Sequence, residues 1–167
     1  MRKIQVLFVC TGNICRSPTA EGIFAQLVRE RGHAERILID SAGITDEHEG
    51  QAPDPRTQRT ALKNGLDISH LRARPVRKED YKRFHYFIAM DHGHLRVLRM
   101  GRPPGEWPRL HVFTEFVPHR KEREVADPYY GGPKDFEHVY ELCRDAAEGL
   151  LAAIVKEHFG PNAARPD

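Results

Sequence analysis

The stretch VLFVCTGNICRSPTAEG, Val6 to Gly22, runs from an apolar segment into a cysteine, places an arginine six residues later, and then begins a helical pattern at Ser-Pro. Ile4 to Val9 is apolar apart from Gln5, the pattern of a strand buried on both faces of a parallel sheet. Ser17 suits a helix cap and Pro18 the first helical position, where no amide hydrogen is needed. Ala20, Ile23, Phe24, Leu27 and Val28 then share one helical face, with Gly32 as the stop. The unit reads strand, loop, helix.

Working outward, Arg36 to Asp40 (RILID) reads as a second strand, and the Gly/Pro-marked SAGITDEHEGQAPDP as loop. Pro55 to Lys63 fits a helix closed by Asn64-Gly65, and His85 to Met90 a third buried strand. HGHLRVLRM is a short helix ending at Gly101, and Leu110 to Phe113 a fourth strand. Phe136, Val139, Tyr140, Cys143, Ala146, Ala147, Leu150, Leu151 and Ile154 recur at helical spacing and should pack on the sheet. Strands alternating with helices predict a single α/β domain over residues 1–160, a parallel sheet with helices on both faces, and a flexible tail at 161–167. Ligands in such folds bind beyond the C-terminal strand ends, where Cys10 begins its loop.

A loop between a buried strand and a helix start turns several backbone N–H groups toward one point, and the helix dipole adds about half a positive charge. That is a seat for an anion. Gly12 and Asn13 accept the left-handed backbone that such a curl needs, and the glycine-lysine signature of nucleotide loops is missing. A cysteine at the base of this ring of donors is expected to ionise more easily than a free thiol, which makes Cys10 a nucleophile aimed at a bound phosphate. Arg16, curling back, can grip two phosphoryl oxygens, Ser17 can donate to the sulfur, and Asn13 can brace the loop. Expelling an alkoxide or phenoxide also needs an acid. Asp127 in ADPYYGG is the leading candidate, and Tyr129 and Tyr130 beside it either wall the pocket or pack.

Composition narrows the function classes. Lys and Arg total 26 against 24 Asp and Glu, a net charge of +2, and no aromatic-interleaved basic motif occurs, so nucleic acid is not the expected partner. The basic segment RARPVRKEDYKR (72–83) reads as a positive rim for a phosphorylated partner or as ordinary solvated surface. Three cysteines with no framework spacing, and no apolar run of about 20 residues, point to a reducing cytoplasm and to no membrane span. His92-x-His94 does not share a helical face, so the pair reads as surface histidines in preference to a metal site.

CTGNICRSPTAEG together with DPYYG resembles the low-molecular-weight protein tyrosine phosphatases, with further matches at SAG (41–43), PDPR (53–56), Ser69-His70 and AMD (89–91). The resemblance implies a four-stranded parallel sheet of flavodoxin-like type, no metal or cofactor, and hydrolysis of phosphotyrosine in proteins through a phosphocysteine. Cys10 would be the nucleophile, Arg16 the phosphate clamp, Asp127 the general acid and then base, and Ser17 the thiolate donor. Thr11, Gly12, Asn13, Ile14, Cys15, Glu47, Tyr129 and Tyr130 would meet the substrate, while Asn13, Ser41 and His70 would brace the loop. Cys15 resembles the family's second loop cysteine, which can form a disulfide with an oxidised nucleophile and protect it.

Two positions depart from the pattern. Glu47 stands where many members carry tryptophan, and His94 where many read asparagine, so peptide preference is not inherited. Arsenate reductases share the loop but relay electrons through further cysteines, and none lies between Arg16 and Leu142. Arginine phosphatases of the same family tend to carry Thr where Ile14 stands, and the larger Ile14 suits a flat phenyl ring. A non-catalytic phosphopeptide-binding module is the third alternative, but it need not keep both Cys10 and Asp127.

Overall fold

In a computed structural model, which describes residues 3–105 and 108–160, four strands form one parallel sheet: β1 (Ile4–Cys10), β2 (Ile37–Gly43), β3 (Tyr86–Ala89) and β4 (Arg109–Val112). Their spatial order is β2-β1-β3-β4, so β1 is central and its two neighbours are reached by connections that leave in opposite directions. A crevice opens where those connections part, beyond the C-terminal ends of β1 and β3.

Pleating divides β1 between two cores. Ile4, Val6, Phe8 and Cys10 face α1 (Arg16–Glu30) and the apolar stripe of α5 (Pro133–Ile154), including Val139, Ala146 and Leu150. Leu7 and Val9 face the other way, against Leu95 and Leu98 of α4 (His92–Gly101) and Tyr81 of the short α3 (Asp80–Arg83). Helices therefore cover both faces, as the alternating pattern predicts. The predicted helix Pro55 to Lys63 is α2, capped by Asp54, whose carboxylate accepts from the Arg56 amide. A β-carbon on Gly149 would lie 1.9 Å from the Phe116 carbonyl oxygen, so only glycine lets α5 close on the 3-10 turn Phe113–Phe116.

Several boundaries differ from the sequence reading. The second strand extends to Gly43, with Cys10 opposite Gly43 in the register, so SAG is sheet and not loop. Helix α1 starts at Arg16, which puts Ser17 inside the first turn instead of at the cap. Phe113 leaves the fourth strand for the 3-10 turn, and α3 had no periodic signal. The expected positive rim is neutralised in part. Arg74 pairs with Asp40 and Asp80, and Arg77 with Glu49. The expected tail, 161–167, lies outside the described residues. Among the described residues, no helix is long and apolar enough to cross a membrane.

Candidate active site

The loop from Cys10 to Arg16 closes the C-terminal end of β1. Its single non-glycine residue with positive φ is Asn13, at 60°, a conformation that asparagine tolerates better than most side chains. Among the described residues, none of the backbone N–H groups from Gly12 to Arg16 donates to a protein acceptor, as expected of a loop and first helical turn that offer their amides outward.

Below that loop lies a fully bonded polar chain. Asn13 Nδ2 donates to Ser17 Oγ at 2.8 Å and to Ser41 Oγ at 2.9 Å, while Asn13 Oδ1 accepts from the Arg74 amide at 3.1 Å. Ser17 Oγ lies 2.9 Å from Cys10 Sγ. Toward a Cys10 thiolate, which can only accept, Ser17 is the donor, with one lone pair of its oxygen already taken by Asn13. The Ser41 hydroxyl donates to Glu21 Oε1 at 2.6 Å. Burial raises the Glu21 carboxyl to about 7, against the lowering effect of that bond.

Arg16 is buried and crosses the crevice. Its Nη1 donates to Asp91 Oδ2 at 3.0 Å and to the Val125 carbonyl at 3.1 Å; its Nη2 donates to Thr11 Oγ1 at 3.2 Å. Asp91 caps α4 by accepting from the His94 amide, so one carboxylate ends β3, starts a helix and fixes the arginine. Desolvation opposes its ionised form, but the bonds from His94 and Arg16 prevail and hold Asp91 below the usual carboxylate range. Val125 also donates its amide to the Met90 carbonyl, which ties the loop carrying Asp127 to the end of β3.

Above the loop is a cleft of about 340 Å³ lined by Cys10, Thr11, Gly12, Ile14, Cys15, Arg16, Glu47, His48, Asp127, Tyr129 and Tyr130. Asp127 Oδ2 stands 3.7 Å from Arg16 Nη2, and its Oδ1 accepts from the Tyr129 amide. One wall is the Glu47-His48 turn, which leans over Gly12 so closely that a β-carbon there would meet His48 Cδ2 at 2.7 Å. The facing wall is Tyr129, held by Arg56, whose guanidinium stacks 5.1 Å from its ring, bonds its carbonyl and pairs with Asp54. Cys15 is buried in an apolar pocket with Ile14, Ala73 and Phe136, and burial pushes its thiol up to about 12.

The structure thus gathers Cys10, Arg16, Ser17 and Asp127 with most of the expected substrate-facing residues. Asn13 braces the loop through its side chain, as expected, and one expectation is corrected: His70 is exposed in a turn and does not join the brace, where the Arg74 amide and Glu21 take up the remaining bonds. Sequence reasoning also missed His48, Asp91, Arg56 and the Val125 carbonyl. Of these, Asp91 carried a legible signal as a helix cap after a strand, and its pairing with Arg16 followed only from the crevice.

A family model described as "Low molecular weight phosphotyrosine protein phosphatase" matches residues 5–159. A protein of that same name from Schizosaccharomyces pombe is 41% identical over 154 residues, 92% of this chain and 98% of the relative. Among solved structures, a protein tyrosine phosphatase from Entamoeba histolytica with Hepes in its active site superposes with a TM-score of 0.88 at 35% identity, covering 92% of this chain and 98% of that one. YfkJ from Bacillus subtilis superposes with a TM-score of 0.87 at 38% identity, covering 93% and 97%.

Proposed function

The chain belongs to the low molecular weight phosphotyrosine protein phosphatase family, and from that premise we propose how its own residues carry out the hydrolysis. It is a cysteine-based, metal-independent protein tyrosine phosphatase. The phosphoryl group sits over Cys10, its oxygens on the loop amides and on the N–H groups of Arg16 that are not bonded to Asp91, Val125 and Thr11. Cys10 Sγ attacks phosphorus, the P–O bond breaks, and the Asp127 carboxylic acid gives its proton to the departing phenolate oxygen. A phosphocysteine remains. Asp127, now a carboxylate, takes a proton from water, whose oxygen attacks phosphorus. The P–S bond breaks, phosphate leaves, and the thiolate returns to the hydrogen bond from Ser17.

The observation that carries this reading is the pairing of a nucleophile and an acid across one cleft: Ser17 Oγ at 2.9 Å from Cys10 Sγ below, Asp127 at 3.7 Å from Arg16 above. Ile14, Tyr129 and Tyr130 flank the substrate ring, with Glu47 at the open rim. Cys15, kept as a thiol by burial, is the reserve partner for an oxidised Cys10. Three free cysteines support a reducing compartment, the cytoplasm.

Hydrolysis of an aryl phosphate in EDTA tests the mechanism, with phosphotyrosine, phosphoserine and phosphoarginine peptides alongside. Turnover by wild type that is lost in Cys10→Ser, with a phosphate-labelled cysteine trapped on rapid quenching and phosphotyrosine preferred, is the expected result. Activity surviving Cys10→Ser overturns the nucleophile. Preference for phosphoarginine overturns the assigned substrate, and binding without turnover makes the chain a phosphopeptide module.

A further inference from the structure

Arg16 is held by a closed circuit whose far member, His94, touches neither Cys10 nor the cleft. Asp91 Oδ2 takes Arg16 Nη1, Thr11 Oγ1 takes Arg16 Nη2, and His94 Nε2 lies 2.8 Å from Thr11 Oγ1. The circuit closes at Asp91 Oδ1, which accepts the His94 amide at 2.8 Å and lies 3.2 Å from His94 Nδ1.

The carboxylate beside Nδ1 selects the tautomer of His94, and the tautomer sets the direction of the bond to Thr11. The Nδ1 contact is not aligned as a hydrogen bond, but a proton on that nitrogen is attracted to the carboxylate, whereas a lone pair would be repelled. With the proton on Nδ1, Nε2 is an acceptor and receives the Thr11 hydroxyl hydrogen. The lone pairs of Thr11 Oγ1 then face Arg16. The guanidinium has five N–H bonds, of which Asp91, Val125 and Thr11 take three, leaving one on Nη2 and the one on Nε for phosphate. Without His94, the Thr11 hydroxyl loses the acceptor that fixes its rotation, and its lone pairs are no longer held in place on the Arg16 N–H.

We propose that His94 is a positioning residue that orients the Thr11 hydroxyl so that Thr11 and Asp91 together hold the Arg16 fork flat over Cys10, an inference that rests on reading Arg16 as the phosphate clamp. His94 is buried, and burial pushes its imidazole down to about 4, so it stays a neutral acceptor across the physiological range. Thr11 is exposed at the cleft, so its role is not a packing one.

The test is a double-mutant cycle of His94→Ala and Thr11→Val, read by the inhibition constant of inorganic phosphate, by kcat and KM for an aryl phosphate, and by Tm. Each single variant is expected to weaken phosphate about tenfold and to lower kcat/KM by a similar factor, the scale of one bond to a charged group. The double variant is expected to be no more than twofold worse than the weaker single, because both break the same circuit. His94→Gln, which keeps an acceptor, should recover most of the affinity.

Losses that multiply in the double variant, or a His94→Ala protein with lower Tm and unchanged phosphate affinity, overturn the inference. Thr11→Val alone suffices if His94→Ala does not fold: affinity within twofold of wild type also overturns it. Arg16→Lys separates the two readings. Normal phosphate binding by Arg16→Lys would remove the clamp itself, whereas its loss together with an unaffected Thr11→Val removes only the role of His94.

Discussion

The floor of the cleft and its rim differ in how tightly each is held. Asn13, Arg16 and Ser17 are exposed by 3%, 4% and 0%, and every hydrogen-bonding side-chain atom of Asn13 is bonded within the fold. At the rim the side chains of Asp127 and Glu47 are 51% and 60% exposed, and Tyr130 is 95% exposed. The floor is therefore part of the folding core, while the rim hangs on the tied end at Val125 and on the Arg56 stack. Changes below should cost stability and catalysis together, and changes above should alter kinetics alone.

The largest effect tests the rim. Asp127→Ala is expected to lower kcat about 10²- to 10³-fold for a phenyl phosphate, far less for a phosphate with an acidic leaving group, and to leave Tm within about a degree. A large fall in Tm would break the contrast. Next, Asn13→Ala removes three buried bonds at a left-handed position and should lower both Tm, by roughly 5–10 °C, and kcat; unchanged thermal stability would detach the floor from the core.

A half-buried carboxyl and a buried imidazole sharpen the comparison through pH. The Glu21 carboxyl is raised to about 7 in the fold, so the stability it contributes is present below its unfolded value near 4.5 and is lost as pH climbs to 7. His94 is lowered from 6.5 to about 4, so its contribution is present above 6.5 and is lost as pH falls to 4. The slopes oppose each other over nearly the same window. Glu21→Gln should therefore uncover a Tm that rises with pH between 4 and 6.5, and His94→Asn a Tm that falls between 4.5 and 7, each by a few degrees. The same slope in both variants would refute the assignment. Smallest is Glu47→Trp, expected to lower KM for an aryl phosphate about two- to fivefold at unchanged Tm by adding an aromatic face to the wall.

The parts of this arrangement legible in the sequence are those fixed by local pattern: buried strands, the helical stripe of α5, and a cysteine and arginine spaced across a strand-to-helix loop. The misses share a physical cause. Ser17 has a capping residue's chemistry, but its hydroxyl is drawn to Cys10, so the helix starts two residues earlier, at Arg16, on backbone geometry alone. Glu21 looks like a solvent-facing helix residue until β2 brings Ser41 beneath it. Asp91 and Arg16 are 75 residues apart and meet only because β1 and β3 are neighbours. His70 fails for the converse reason: a resemblance carries a residue's identity, and here the turn around it points outward.

The tie at Val125 works as a leash. Its carbonyl is pegged by Arg16 and its amide by Met90, and Asp127 follows two residues later, a span of at most about 7 Å of chain. The proton donor can swing only within that radius, and the peg is the phosphate clamp itself. Replacing Arg16 therefore slackens the acid at the same moment that it loosens the substrate. A rate deficit measured at Arg16 is a compound quantity, and its acid-dependent share should appear as a flattened limb in the pH–rate profile.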